Sequence, residues 1–203
     1  MTQRDTTTRR TVVGNISLSL DGRVTGRGGD SDMSWVAQHA ISNASREFMV
    51  RVTSPATTAL LGRKNYQGFA ATGPRSPGTR ALTPATDHSP CGSIEKVVFS
   101  TTVKDADWNN TRIVDAAPAT EVKRLRMGGG GDIIVLNSVS VINNLLEADE
   151  LDRLSMTLCP EVVSGGARLF EDGLPASSWR LTDMSSTETG AISLLYDRVR
   201  EAG

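Results

Sequence analysis

Asp132-Ile133-Ile134-Val135-Leu136-Asn137-Ser138-Val139-Ser140 runs four apolar residues into a short polar turn and then into a helical pattern. An unbroken apolar run of this length fits a strand covered on both faces, as in a parallel sheet between helices. Ile142, Leu145 and Leu146 follow at helical spacing, so the stretch Val139 to Ala148 is expected to be a helix with one buried stripe. A strand that stops at such a turn leaves backbone N–H groups unpaired, and the helix behind it adds the positive end of its dipole. Leu60 to Tyr66 (LLGRKNY) and Lys96 to Thr101 (KVVFST) have the same layout. Three loop tips of this kind suit a phosphate-rich ligand, and the chain reads as a nucleotide-dependent enzyme.

Working outward, Thr11 to Leu20 is expected to be a buried strand ending at the Asp21-Gly22 turn, and Arg27 to Asp32 a glycine-bearing polar loop. Trp35 then precedes one helix whose apolar face is Ile41, Ala44, Phe48 and Val52, closed by Ser54-Pro55. Strands at Thr57–Gly62, Lys96–Ser100, Thr111–Val114 and Asp132–Leu136 alternate with helices, including Ala119–Met127, which implies a parallel sheet. Arg153–Val162, Trp179–Thr189 and Ala191–Arg200 read as strands, the last two an antiparallel hairpin turning at Gly190. The fold class is therefore α/β, with a mixed, mostly parallel sheet between two helical layers. Residues 1–10 are expected to be a flexible segment and 11–203 one domain.

The 203 residues carry a net charge of -1, which offers no basic field for nucleic acid. Met1 to Arg10 is polar and no apolar run approaches a membrane span, so a cytoplasmic protein without membrane contact is expected. Two cysteines, Cys91 and Cys159, are too few for a disulfide framework. The two histidines, His39 and His88, stand in no zinc-ligand spacing, so no metal is expected. His39 reads as an ordinary exposed helix residue. Gly128–Gly131 reads as a connection between helix and strand.

SLDGRV (Ser19–Val24), LLGRKNY, VVFS (Val97–Ser100), GGDIIVLNS (Gly130–Ser138) and CPEVVSGGARLF (Cys159–Phe170) occur in that order. Together, over about residues 11 to 200, they resemble the dihydrofolate reductase-like proteins. Within these they are most similar to the reductase domain of the riboflavin-biosynthesis deaminase-reductase and its stand-alone relatives. The resemblance implies the three-layer dihydrofolate reductase-like fold, a homodimer, NADPH as cofactor and hydride transfer to a small heterocyclic or conjugated substrate. The same fold also suits a nucleotide-binding or interaction protein that has lost catalysis.

By position, the resemblance implies that Gly62, Arg63, Lys64 and Asn65 meet the cofactor phosphates and that Ser100 and Thr101 hold the adenosine 2′-phosphate. Arg63 has the fork geometry for phosphate. Asn137, Ser138, Val139 and Ser140 match the pyrophosphate turn, with Ser138 and Ser140 as helix caps. Ser17, Leu18, Thr25 and Gly26 match the lining of the nicotinamide. Trp35 and Tyr66 are implied walls of the substrate space; Asp21 and Leu136 also belong to the substrate side, although Asp21 beside Gly22 is by type a turn former.

Three departures are visible. The family's Gly-Gly pair is replaced at Asn137-Ser138, where a positive φ would cost Asn137 about 1 kcal/mol or more. Val36–Ala40 lacks the carboxylate with which dihydrofolate reductases bind the pterin, so a folate substrate is not expected. Leu136 stands where the riboflavin-pathway reductase has a substrate-binding Glu, which argues against its ribosyl-pyrimidine.

Ala70–Ile94 is proline-bearing and has no aromatic residue, where relatives carry Tyr-Trp-Pro, a Phe and Trp-Leu. Thr72-Gly73-Pro74, Asp87-His88-Ser89 and Pro90–Ser93 all have codon choices that hide these aromatics one base out of frame. We expect the stretch to be read out of frame between compensating shifts. Re-sequencing of the gene checks this, and an unbroken frame encoding Pro74, Pro77 and Cys91 overturns it.

Overall fold

The computed structural model describes residues 9–30, 32–40, 42–72, 93–106 and 108–200. The stretch expected to be out of frame lies, at residues 73–92, outside the described residues. Eight strands form one sheet in the order β4-β3-β2-β5-β1-β6-β8-β7. The strands are β1 (Val12–Ser19), β2 (Ala56–Gly62), β3 (Glu95–Phe99), β4 (Thr111–Val114), β5 (Asp132–Leu136), β6 (Arg153–Cys159), β7 (Ser178–Ser186) and β8 (Ile192–Val199). From β4 through β6 all neighbours are parallel; β8 runs antiparallel to both β6 and β7. The fold is thus a mixed, mostly parallel α/β sheet closed by a C-terminal antiparallel hairpin, as expected.

Alternation along each central strand divides the core into two. Val12, Ile16, Leu60, Val97, Ile133 and Val135 meet helices α4 (Pro118–Arg126) and α5 (Val139–Glu147) on one face. Val13, Ala59, Leu61, Val98, Ile134 and Leu136 meet α2 (Asn43–Thr53) and α3 (Arg63–Thr72) on the other. Each apolar run therefore loses both faces to helices, which is why β5 shows no polar alternation. Gly14 sits where α5 and the following loop press on β1: an added Cβ would lie 3.3 Å from Leu151.

The segment read as one helix after Trp35 is two. Helix α1 (Ser34–Ala40) already contains Trp35, and α2 restarts with Ser42 as N-cap, its hydroxyl accepting from the Ser45 N–H at 3.1 Å. The Ser42-Asn43 pair favours this break because a short hydroxyl satisfies a first-turn amide that would otherwise have no partner. Phe48 and Val52 keep their inward positions on α2. The residues of α5 also match the expected stripe, except that Val141 is buried and Leu146 only partly so.

Arg10, at the end of the segment expected to be flexible, is buried and donates to the Gly131 carbonyl at 2.7 Å and the Thr58 hydroxyl at 2.7 Å. It locks the Gly128–Gly131 connection against β2, at the end of the sheet remote from the β5–α5 turn. An added Cβ on Gly131 would come within 2.1 Å of the Pro55 carbonyl oxygen, so this glycine serves close packing. Among the described residues no helix is long and apolar enough to cross a membrane.

Phe48 is 1% exposed at the centre of the α2–α3 face. Phe48→Ala is expected to destabilise the protein by about 3–5 kcal/mol, the usual cost of removing a core ring without collapse of the cavity. Chemical denaturation measures the loss.

Candidate active site

The carboxyl ends of β2 and β5 are stitched together by side chains from the turns that follow them. Ser138, 1% exposed, accepts the Gly62 N–H at 2.8 Å and donates to the Leu136 carbonyl at 3.1 Å. Asn65 donates to the Asn137 carbonyl at 2.8 Å, and the Asn137 side chain accepts the Ser17 N–H at 3.3 Å. Asn137 has φ 49, the left-handed value at which its cost was expected, and Asn tolerates that region better than most residues. These contacts aim the first turns of α3 and α5 into one cleft of about 720 Å³.

Gly62, Arg63, Lys64, Asn65, Asn137, Val139 and Ser140 line that cleft, and Thr25 reaches it from the loop after β1. A smaller lobe of about 390 Å³ holds Ser100 and Thr101 and shares Arg63 and Phe99 with the larger one. The three loop tips therefore line two adjoining pockets that share Arg63 and Phe99. Arg63 is exposed and makes no ion pair or hydrogen bond among the described residues. Lys64 is instead ion-paired with Asp30 at the cleft mouth, both side chains being well exposed. Ser140 presents an exposed hydroxyl.

Other expected site residues have different work. Ser138 occupies the N-cap position of α5, yet its side chain makes no capping bond, because the hydroxyl is spent on Gly62 and Leu136. Ser17 and Leu18 do not line the cleft; Ile16 does, and Leu18 is core. Gly26 is buried beneath Asp32, whose carboxylate oxygen would lie 2.1 Å from an added Cβ. Tyr66 and Leu136, read as substrate contacts, are 5% and 6% exposed in the α2–α3 core, Tyr66 against Trp108 with ring centroids 4.7 Å apart. Trp35 is half-buried on α1 and absent from the lining of either lobe.

Asp21 is a clamp. Its carboxylate accepts the Ser19 hydroxyl at 2.7 Å and the N–H groups of Val163 and Ser164 at 3.1 and 3.0 Å. The Ser19 hydroxyl, followed by the amides, lowers its pKa to about 2. The clamped segment continues to Gly166, where a φ of 82 and the Thr25 carbonyl oxygen, 2.1 Å from where an added Cβ would lie, exclude a side chain. Ala167 N–H donates to the Thr25 hydroxyl at 2.9 Å, and Ala167 and Glu171 line the cleft. Asp32 is likewise held below the usual carboxylate range, by the Ser34 hydroxyl and then the Gly28 amide.

His39, read as exposed, is 4% exposed and lies between the Thr189 hydroxyl at 3.0 Å and Glu161 at 3.2 Å, tying α1 to the clamped loop and the hairpin turn. Cys159 is buried, which pushes its thiol pKa up to about 11, an unreactive state. Among the described residues no group of His, Cys, Asp and Glu is placed to hold a metal ion.

The cleft also contains residues that motif reading passed over: Ile16, Met33, Asn143, Glu147 and Glu171, with Asp115 in the small lobe. Ser140, Asn143, Asn144 and Glu147 recur at helical spacing, a signal already present in the sequence. Asp115, Glu171 and Met33 carry no such signal, since loop packing alone brings them in.

These features define a three-layer α/β protein whose cleft opens at the carboxyl ends of a parallel sheet, beside the N-termini of α3 and α5. The chain belongs to the RibD C-terminal domain family, whose model matches residues 10–194. A putative riboflavin biosynthesis protein from Shewanella sp. PV-4 has a similar fold, with TM-score 0.73, 18% identity, and coverage of 94% of this chain and 99% of that one. The diaminohydroxyphosphoribosylaminopyrimidine deaminase/5-amino-6-(5-phosphoribosylamino)uracil reductase of Thermotoga maritima is also similar, with TM-score 0.62 and 11% identity. That match covers 94% of this chain and 57% of the Thermotoga chain. No curated protein matches.

Two outcomes follow from the clamp and the stitch. Because the Asp21 pKa is lowered, its hold on the loop is complete above the ordinary aspartate range and is lost as pH falls through about 2. Hydrogen-exchange protection of the Val163 and Ser164 amides is expected to fall over that window, and to be already reduced at neutral pH in Asp21→Asn. Ser138→Ala leaves the buried Gly62 N–H without its acceptor and is expected to cost about 1–3 kcal/mol in denaturant unfolding.

Proposed function

We propose that the chain is a reductase that takes a hydride from a reduced nicotinamide dinucleotide, NADPH on the family resemblance, and delivers it to a small heterocyclic or conjugated substrate. The observation that carries the reading is Arg63. Its guanidinium has no ion pair or hydrogen bond among the described residues, and it lines both adjoining pockets beside the first turns of α3 and α5. That donor set fits a pyrophosphate: a bidentate cation, helix-end amides and the Ser140 hydroxyl.

The dinucleotide supplies the hydride chemistry when bound. Arg63, Asn65 and Ser140 would hold its phosphates. Ile16, Thr25 and Asn137 would border the reactive end, and the clamped 163–171 loop would limit water there. Asp21 and Asp32 are spent on backbone amides, which leaves the proton to water, to the substrate's own groups or to the cleft carboxylates Glu147 and Glu171. A cytoplasmic homodimer belongs to the same proposal, and sedimentation in solution tests the pairing.

Titration with NADPH and NADH, followed by nicotinamide fluorescence, is expected to saturate. Arg63→Ala is expected to weaken binding by about tenfold or more, since it removes a charge-assisted bidentate contact. No binding of either dinucleotide at millimolar concentration overturns the reading. The positive φ at Asn137, where the family has glycine, favours a second reading, a nucleotide-binding protein that has lost catalysis. Saturable binding without oxidation of the bound dinucleotide across a panel of C=N, C=O and C=C substrates supports that alternative.

A further inference from the structure

We infer that Asp115 decides which nicotinamide dinucleotide this chain takes, turning the small lobe toward the ribose 2′-hydroxyl of NADH and away from the 2′-phosphate of NADPH; the inference rests on the reductase reading. Asp115 follows β4 directly and lines the lobe with Ser100, Thr101 and Thr102. It is exposed and makes no hydrogen bond or ion pair among the described residues, so both carboxylate oxygens are open to a ligand donor.

The lobe offers a 2′-phosphate few donors beyond Arg63 and the Thr101 hydroxyl. Arg63 is the lobe's one lining cation among the described residues, and the same guanidinium faces the larger cleft, where a pyrophosphate competes for it. Lys104 turns its ammonium to the Thr101 carbonyl at 3.2 Å and does not line the lobe. The amides of Thr102 and Val103 donate to the Ser100 hydroxyl at 3.2 and 2.9 Å, so this turn closes on itself. A carboxylate at a strand end accepts a ribose hydroxyl well, whereas a doubly charged phosphate beside it is repelled. Ser100 and Thr101, matched by resemblance to a 2′-phosphate turn, thus stand beside a charge of the wrong sign for it.

The test is parallel titration of the wild-type protein, Asp115→Asn and Asp115→Lys with NADH and NADPH at low and high salt. The wild type is expected to bind NADH more tightly, by about tenfold at low salt. Asp115→Asn should reduce that ratio, and Asp115→Lys should invert it chiefly by tightening NADPH. Because Asp115 is exposed and unpartnered, thermal unfolding of both variants should match the wild type. Tighter binding of NADPH by the wild type, or a ratio indifferent to both substitutions, overturns this inference and leaves the reductase reading standing. Failure of both dinucleotides to bind the folded wild type overturns the reductase reading and this inference with it.

Discussion

A single buried hydroxyl, that of Ser138, fixes the distance between the two turns on which the site is built. It takes the Gly62 N–H on one side and holds the Leu136 carbonyl on the other, so β2 and β5 end at a common level. Both groups lie out of water, where an unmade bond carries its full desolvation cost. Asn65 and Asn137 extend the same stitch to β1 through the Asn137 carbonyl and the Ser17 amide. The strain of a left-handed Asn137 is offset by these bonds, and the result is a pair of helix N-termini that face one space.

The second constraint is the interlocking of the loop after β1 with the loop after β6. Asp21, Thr25 and Gly166 bind the two loops through amide contacts and a backbone approach that leaves no room for a Cβ. His39 and Glu161 then fasten the second loop to α1, and Thr189 fastens His39 to the hairpin. Several residues that look chemical by type, Asp21, Asp32 and His39 among them, are therefore occupied in holding the rim of the cleft. Among the described residues, polar groups left open to a ligand include Arg63, Ser140, Thr101 and the carboxylates of Glu147, Glu171 and Asp115.

Much of the sheet was legible in one dimension because strand burial on both faces writes itself as unbroken apolar runs. Thr111–Val114 and Asp132–Leu136 have the bounds expected, and the hairpin turns at Gly190 with φ 82. The break between α1 and α2 was missed because Ala44, Phe48 and Val52 keep a helical period, and a serine cap leaves no mark on that period. At the site, the glycine-to-asparagine turn and the basic α3 start could be located by motif. Tyr66, Leu136 and Trp35 could not be sorted into core or cleft, because an aromatic or leucine after a strand suits either.

The order of apolar runs and turns determined by itself that this chain forms a mostly parallel sheet between helices, with polar loop tips at the strands' carboxyl ends. That follows from local physics, since side-chain periodicity and turn chemistry are properties of neighbouring residues. Which polar groups face the cleft was decided only by the tertiary structure. Ser138 and Ser140 are two residues apart, yet one is locked under Gly62 and the other lies open; Lys64 meets Asp30 while its neighbour Arg63 has no ion pair or hydrogen bond among the described residues. Those outcomes depend on partners some 30 to 80 residues distant in the chain, and long-range packing is the only thing that brings them into reach.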